Sequence, residues 1–336
     1  MEQVAEAPLR AAAPTHSRSE TIAFLIMAAI LIIAPFFTYP LFLMQVMCFA
    51  LFACAFNLLI GYVGLLSFGH ALYFGWASYV CAHAAKVWGL TPELAIIAGT
   101  LTAAGLGLVA GMLAIRRQGI YFAMITLALA QMMYFFALQA KFTGGEDGIQ
   151  GVPRRPMLGF LDIANDVNFY YVVLAIFLAG FLLIYRIIHS PFGEVLKAIR
   201  ENEARARYLG YDVENYKLFI FCFSAGVAGL AGMLFTLTAE FASPSLMATS
   251  FSISMVIWAA TGGRASLLGA CIGALIVNFV GSVASESVTF QPVWPIVLGG
   301  LFVFVVLVMP NGLAGIVKDW IARSGKTRAV GQEVYP

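Results

Sequence analysis

Four histidines and five cysteines are the side chains of this sequence with the chemistry to hold a metal or act as nucleophile and base, yet their spacing supplies neither. His70 and His83 have no Asp or Glu neighbour at metal-ligand or triad spacing, and His16 and His189 fall in loops. Cys48, Cys54, Cys81, Cys222 and Cys271 all lie inside apolar stretches without a Cys-x-x-Cys pair, the placement of packing residues. Gly325-Lys326-Thr327 imitates the end of a phosphate-binding loop, but Trp320 stands where the first glycine belongs and no hydrophobic strand leads directly into it. Gly105 and Gly107, followed by Ala110, imitate a dinucleotide fingerprint from within an apolar helix. No catalytic residue, metal site or resident cofactor is therefore expected of this chain, and it does not read as an enzyme.

The elements around these residues belong to a membrane. Of 336 residues 61% are hydrophobic and 11% charged, with a mean hydropathy of +0.90, and apolar stretches of about 18 residues or more recur along the chain. The expected fold is all-α, a polytopic membrane helical bundle with spans near 21–38, 41–60, 65–85, 93–114, 119–140, 169–188, 216–238, 246–261, 267–284 and 293–310. That is about ten spans, or eight to ten, because the third is interrupted by Ser67, His70 and glycines and the eighth is short. Gly99, Ala103, Gly107 and Gly111 form a ladder of small residues along one helix face, repeated by Ala225 with Gly229, Ala228 with Gly232, and Gly269 with Gly273. Such ladders let helices approach closely in a bilayer.

The Lys and Arg residues sit in short loops and form no basic face, which argues against a nucleic-acid partner. Arg116 and Arg117, the segment from Lys197 to Arg207, and Lys318, Arg323, Lys326 and Arg328 all fall on one side of the ten-span arrangement. By the positive-inside rule that side is cytoplasmic, with both termini. The loop 141–168 then lies opposite, where Glu146, Asp147, Asp162 and Asp166 outnumber Lys141, Arg154 and Arg155. The expected organisation is a cytoplasmic tail 1–20, a transmembrane domain 21–316 with a cytoplasmic loop 189–215, and a cytoplasmic tail 317–336. A cleaved signal peptide over 1–38 is the weaker reading, because the polar leader and apolar stretch are both too long and no small-residue cleavage pattern follows.

The loop 189–215 holds the most distinctive segment, Ser190 to Asp212, a charged helix between two apolar runs. Ser190 suits a helix cap, Pro191 the first helical position and Gly210 the left-handed residue that ends a helix. Glu201 with Arg205 and Glu203 with Arg207 are spaced for helix ion pairs, leaving Val195, Leu196, Ile199 and Ala206 as apolar contact residues for a partner. Two glycine-rich interruptions stand out elsewhere. Gly61, Gly64, Ser67, Phe68, Gly69 and His70 fit no regular lipid-facing helix, and Thr261-Gly262-Gly263-Arg264 separates two short segments. Irregular backbone at membrane depth is tolerated where it is buried in protein or lines a cavity, so Gly64, Ser67, Gly69, His70, Gly262 and Gly263 are candidate translocation-path residues. The competing readings are a hydrogen-bonded structural role for His70 and a tight cytoplasmic turn anchored by Arg264.

Three stretches carry a family resemblance: Asn57-Leu58-Leu59-Ile60-Gly61-Tyr62-Val63-Gly64-Leu65-Leu66-Ser67-Phe68-Gly69-His70, Arg117-Gln118-Gly119-Ile120-Tyr121-Phe122-Ala123-Met124-Ile125-Thr126-Leu127, and Thr143-Gly144-Gly145-Glu146-Asp147-Gly148. Together with Ser190-Pro191-Phe192-Gly193, Ala198-Ile199-Arg200-Glu201-Asn202-Glu203 and Tyr216-Lys217-Leu218, this sequence resembles the inner-membrane permease subunits of ATP-driven (ABC) branched-chain amino acid importers, of the LivM type, over about residues 40–315.

The resemblance implies a multi-pass permease of the bacterial inner membrane. It would pair with a homologous second permease, two cytoplasmic ATP-binding subunits and a periplasmic solute-binding protein, with ATP and Mg held by the ATPase partners. It also implies that 190–212 docks an ATPase, with Ser190, Pro191, Phe192, Gly193, Ala198, Ile199, Arg200, Glu201, Glu203, Arg205, Arg207 and Gly210 as coupling residues. Trp258 with Gly262-Gly263-Arg264, and Arg207-Tyr208-Leu209-Gly210-Tyr211, are closer to the related urea permeases, so urea or a short amide stands as the alternative cargo to a hydrophobic amino acid. An ion-coupled secondary transporter is disfavoured, because Glu93, Glu240 and Glu286 lie at span ends and not at mid-membrane.

Overall fold

The computed structural model describes residues 18–157, 159, 163–263, 266–286, 294–308, 312, 313 and 315. Arg264, Asp162, most of the expected N-terminal tail and the whole of the C-terminal tail lie outside them. Among the described residues are α1 (Arg18–Ile33), α2 (Pro40–Tyr62), α3 (His70–Lys86), α4 (Pro92–Ala114), α5 (Ile120–Gln139), α6 (Asp166–Ile188), α7 (Pro191–Glu201), α8 (Glu203–Tyr208), α9 (Val213–Ala239), α10 (Thr249–Gly262), α11 (Leu267–Glu286) and α12 (Trp294–Val308). All but α7 and α8 coincide with the ten expected spans. Six of the helices are long and apolar enough to cross a membrane: α2, α4, α5, α6, α9 and α11, the last over Leu267–Ala284. The fold is a polytopic helical bundle. Its only sheet among the described residues is a two-residue antiparallel pairing of β1 (Ile149–Gln150) with β2 (Phe241–Ala242).

Local chemistry sets the helix limits. Proline at the first turn opens α2, α4 and α7, where a missing N–H costs nothing. Asn165 and Asp212 cap α6 and α9 by accepting from Val167 and Asn215 backbone N–H groups. The third span starts later than expected, at His70, because residues 63–69 form a non-helical connection from α2.

The bundle is built around α2 and α9. In their most apolar windows 83% and 72% of residues are buried, against 28% for α4 and α5, which therefore lie at the periphery. The small-residue ladder of α4 packs on α9: a side-chain carbon on Gly107 would meet Ala225, and one on Gly229 would overlap Ala103. Gly232 of α9 lies against the Phe74 carbonyl of α3, and Ser78 ties the same crossing by donating to the carbonyls of Phe74 at 2.8 Å and Gly232 at 2.9 Å. Gly232→Val is therefore expected to destabilise the fold by about 1–3 kcal/mol through overpacking. The check is a lower unfolding temperature in detergent, with Gly105→Val as control, since nothing lies within 4 Å of a side chain there.

Residues 149–154 are strapped to the end of α9, through the β1–β2 pairing and the Val152 N–H donating to the Glu240 carbonyl at 2.9 Å. Arg154, expected as a loop charge, instead folds inward: its side chain is 8% exposed and reaches Asp166 at 2.7 Å and Glu240 at 3.1 Å. It also donates to the carbonyls of Leu237 at 2.8 Å and Thr238 at 2.6 Å, groups left without a helical partner at the end of α9. The cysteines act as packing residues at helix crossings. Cys54 of α2 lies 3.4 Å from Cys271 of α11, thiol to thiol, and all five are free.

Candidate functional site

The segment 190–212 is two helices and not the one expected. Ser190 caps α7, its hydroxyl accepting from the Gly193 N–H at 3.4 Å, and Pro191 takes the first position. At Asn202 the backbone turns extended (φ −155, ψ 96), and the Asn202 side chain opens α8 by accepting from the Arg205 N–H at 3.0 Å. An asparagine offers the backbone this alternative to a continuing helix. Gly210, at φ +91, closes the unit as expected, with Tyr211 N–H returning to the Ala206 carbonyl at 3.2 Å.

The break re-sorts the charges. Glu201 and Arg205 fall on different helices and form no pair, whereas Glu203 holds Arg207 at 3.1 Å and Lys217 of α9 at 2.5 Å. Lys217 is 3% exposed, so this second bond is a buried clamp between α8 and α9. Phe192 stacks on Tyr216 at 5.1 Å between ring centres and adds a second clamp. The apolar residues expected to face a partner face the chain itself: Leu196 belongs to the main core, and Ile199, Ala206 and Val213 form a small core covered by Val195 and Tyr216. Exposed instead are Ala198 and Glu201 on α7 and, at the tip, Tyr208 (92%) and Leu209 (71%).

Arg200 joins this unit to the membrane bundle. Its guanidinium donates to the Gly61 carbonyl at the end of α2, where helix carbonyls lack partners and a cation meets the negative end of the helix dipole. Gly64, at φ +79, turns the chain directly beneath it, and a side-chain carbon there would sit 3.4 Å from the Arg200 Cγ.

The chain from Gly64 then enters a buried bracket. His70 is fully buried, with Nδ1 3.2 Å from the Ser67 hydroxyl and Nε2 2.9 Å from the Ser224 hydroxyl of α9. Ser224 in turn donates to the Ala55 carbonyl of α2 at 2.5 Å. Gly69 is confined by the Thr126 carbonyl of α5. Gly64, Ser67, Gly69 and His70 are thus brought together as a connection between α2, α3, α5 and α9.

Gly262 and Gly263 lie apart, at the tight turn from α10 to α11. Gly262 packs against the Gly269 carbonyl, Gly263 takes φ +114, and the Asn57 amide of α2 donates to the Ser266 carbonyl at 2.9 Å just beyond them.

A cavity of about 390 Å³ lies elsewhere, between α2, α10, α11 and α12, and none of these six glycine, serine and histidine positions lines it. Gln45, Ser254, Asn278 and Ser282 form its polar part, and Phe49 and Trp258, 5.0 Å apart between ring centres, part of its apolar wall. Trp258 stood out in the sequence for another reason, and the four polar residues did not stand out at all. Their signal was present: Gln45 and Asn278 are amides inside strongly apolar stretches, which is costly in a bilayer unless used.

Comparison with known proteins adds a family. Residues 39–306 match the family described as branched-chain amino acid transport system / permease component. The chain is 26% identical over 280 residues to the high-affinity branched-chain amino acid transport system permease protein LivM of Escherichia coli strain K12, covering 76% of this chain and 65% of that protein. It is 25% identical over 296 residues to LivM of Salmonella typhimurium strain LT2, covering 81% and 69%. To the probable branched-chain amino acid transport permease protein LivH of Methanocaldococcus jannaschii it is 29% identical over 158 residues, covering 45% and 47%. The chain thus spans about two thirds of the length of the two LivM relatives. No solved structure matches it.

Proposed function

Because this chain belongs to the branched-chain amino acid transport system permease family, we propose that it is the membrane-spanning permease subunit of an ATP-driven importer. Its cargo in this reading is a branched-chain or other hydrophobic amino acid handed over by a periplasmic binding protein. Likeness to both LivM-type and LivH-type permeases supports pairing with a second, related permease. ATP and Mg belong to two cytoplasmic partner subunits, and this chain contributes the surface on which one of them acts.

One observation carries the proposal. The α7–α8 unit is clamped to α9 through Glu203 and Lys217 and to α2 through Arg200 and Gly61, while Tyr208 and Leu209 project from it. A rigid charged unit with an apolar tip, tied to the core helices of the bundle, can take a push from a partner and pass it inward. In this arrangement the unit and both termini are cytoplasmic, and the 141–168 loop faces the opposite side of the inner membrane.

Two measurements test it. In a form of the protein without native cysteines, Glu146→Cys is expected to react with an impermeant thiol reagent in intact cells, and Glu201→Cys only after permeabilisation. Both positions are exposed, and labelling of both from one side would remove the topology. For cargo, uptake of labelled leucine by cells expressing the complete system is expected to be inhibited by valine, isoleucine and phenylalanine but not by urea. Saturable urea uptake without leucine uptake would replace the cargo and leave the architecture.

A further inference from the structure

Gln45 lies about 24 Å along α2 from Gly61 at 1.5 Å per residue, so the helix that Arg200 grips at one end forms a wall of the cavity at the other. We propose that this cavity, between α2, α10, α11 and α12, is where the transported solute rests within the membrane, and that it takes a small net-neutral solute with a polar end and an apolar body. The inference rests on the importer reading above and adds a place and a ligand class to it.

The lining selects that class. Among the described residues no Asp, Glu, Lys, Arg or His side chain contributes to it, so an ion with net charge would be desolvated there without a counter-charge from them. Gln45 and Asn278 each present a donor and an acceptor, which suits a carboxylate and an ammonium carried on one molecule. Asn278 spends one hydrogen bond on the Ala274 carbonyl of its own helix, at 2.7 Å, which leaves part of its amide for a ligand.

One helical turn along the same walls the lining is aromatic, with Phe49 four residues after Gln45 on α2 and Trp258 four after Ser254 on α10. Phe49 and Trp258 belong to a ring cluster that continues through Phe251, 5.9 Å from each of them between ring centres. An acyl chain filling the cavity would leave the amides facing hydrocarbon, and a wholly polar solute would leave the rings wet. A solute with both kinds of surface satisfies both parts of the lining. The volume, about 390 Å³, falls in the range of small-molecule sites, roughly 300–1,000 Å³.

The test uses the complete transporter with its ATPase and binding-protein partners. Asn278→Leu and Gln45→Leu are each expected to lower leucine uptake by about tenfold, with copurified ATPase and its basal hydrolysis retained. In a form without native cysteines, Ser254→Cys is expected to react with a small thiol reagent and to be protected by saturating leucine. The wild-type rate of leucine uptake reads the proposed function, and the ratio of variant to wild type reads the cavity. Normal uptake in both leucine variants, with Ser254→Cys modified equally fast with and without leucine, would overturn this inference alone. Protection by urea and not by leucine would overturn the ligand class.

Discussion

Replacing Tyr208 with serine and Leu209 with aspartate together is expected to abolish solute uptake and the copurification of the ATP-binding partners, while the permease still inserts at its normal level. Tyr208 is 92% and Leu209 71% exposed, so neither side chain supports the fold of this chain. Burying an apolar side chain of this size at an interface contributes about 1.5–3 kcal/mol, and the pair therefore about 3–6 kcal/mol. At about 1.4 kcal/mol per decade this is a hundredfold or greater loss of docking affinity. Reversing charge at Arg205 and Arg207, the more obvious change from sequence alone, is expected to have the smaller effect. Arg207 is an exposed partner of Glu203, its side chain 62% accessible, and exposed charges tune association rates and salt dependence more than affinity. The measurement is affinity copurification and uptake in the same membranes. Retained copurification in the Tyr208 and Leu209 double variant would move the docking surface away from the tip.

The second large effect is expected at Arg200, and it has the opposite signature. Arg200→Ala removes the guanidinium from the Gly61 carbonyl but leaves the exposed tip and the Glu203–Lys217 clamp in place. Partner subunits are therefore expected to copurify and hydrolyse ATP at close to the normal rate, while uptake falls. A hydrogen bond from a charged donor contributes about 1.5–3 kcal/mol, which sets the expected loss of coupling at roughly tenfold to a hundredfold. Arg200→Lys keeps a cation and a donor near the helix end and is expected to restore part of the uptake. The quantity to measure is the ratio of solute imported to ATP hydrolysed in proteoliposomes. Uptake and hydrolysis falling in parallel, with their ratio unchanged, would make Arg200 a purely structural residue, and normal uptake with normal hydrolysis would place the transmission elsewhere.

The legible parts of this protein are those written in local chemistry. Apolar runs located ten helices, six of them long and apolar enough to cross a membrane, because a bilayer demands continuous hydrophobicity and internally satisfied backbone. Ser190, Pro191 and Gly210 marked the limits of the α7–α8 unit, because capping and left-handed turns depend on the residue itself. The ladder of Gly99, Ala103, Gly107 and Gly111 announced a close helix crossing, because only small side chains permit one. None of these named a partner in space.

Tertiary structure alone decided which faces are used. Leu196, Ile199 and Ala206 have the spacing of a docking stripe, and only the placement of α9 and the rest of the bundle shows that the chain consumes that stripe itself. Glu201 and Arg205 have the spacing of a helix pair, and the Asn202 turn separates them, since a side-chain cap competes with one more turn of helix by a margin too small to read from type alone. Lys217, at the start of an expected span, is buried on Glu203, 14 residues earlier in the chain. Gln45, Ser254 and the pair Asn278 and Ser282 lie far apart in sequence, and only the crossing of α2, α10, α11 and α12 brings them around one cavity. Span, cap and turn are properties of a few neighbouring residues; a cavity, a clamp or an exposed tip depends on what the rest of the chain leaves uncovered.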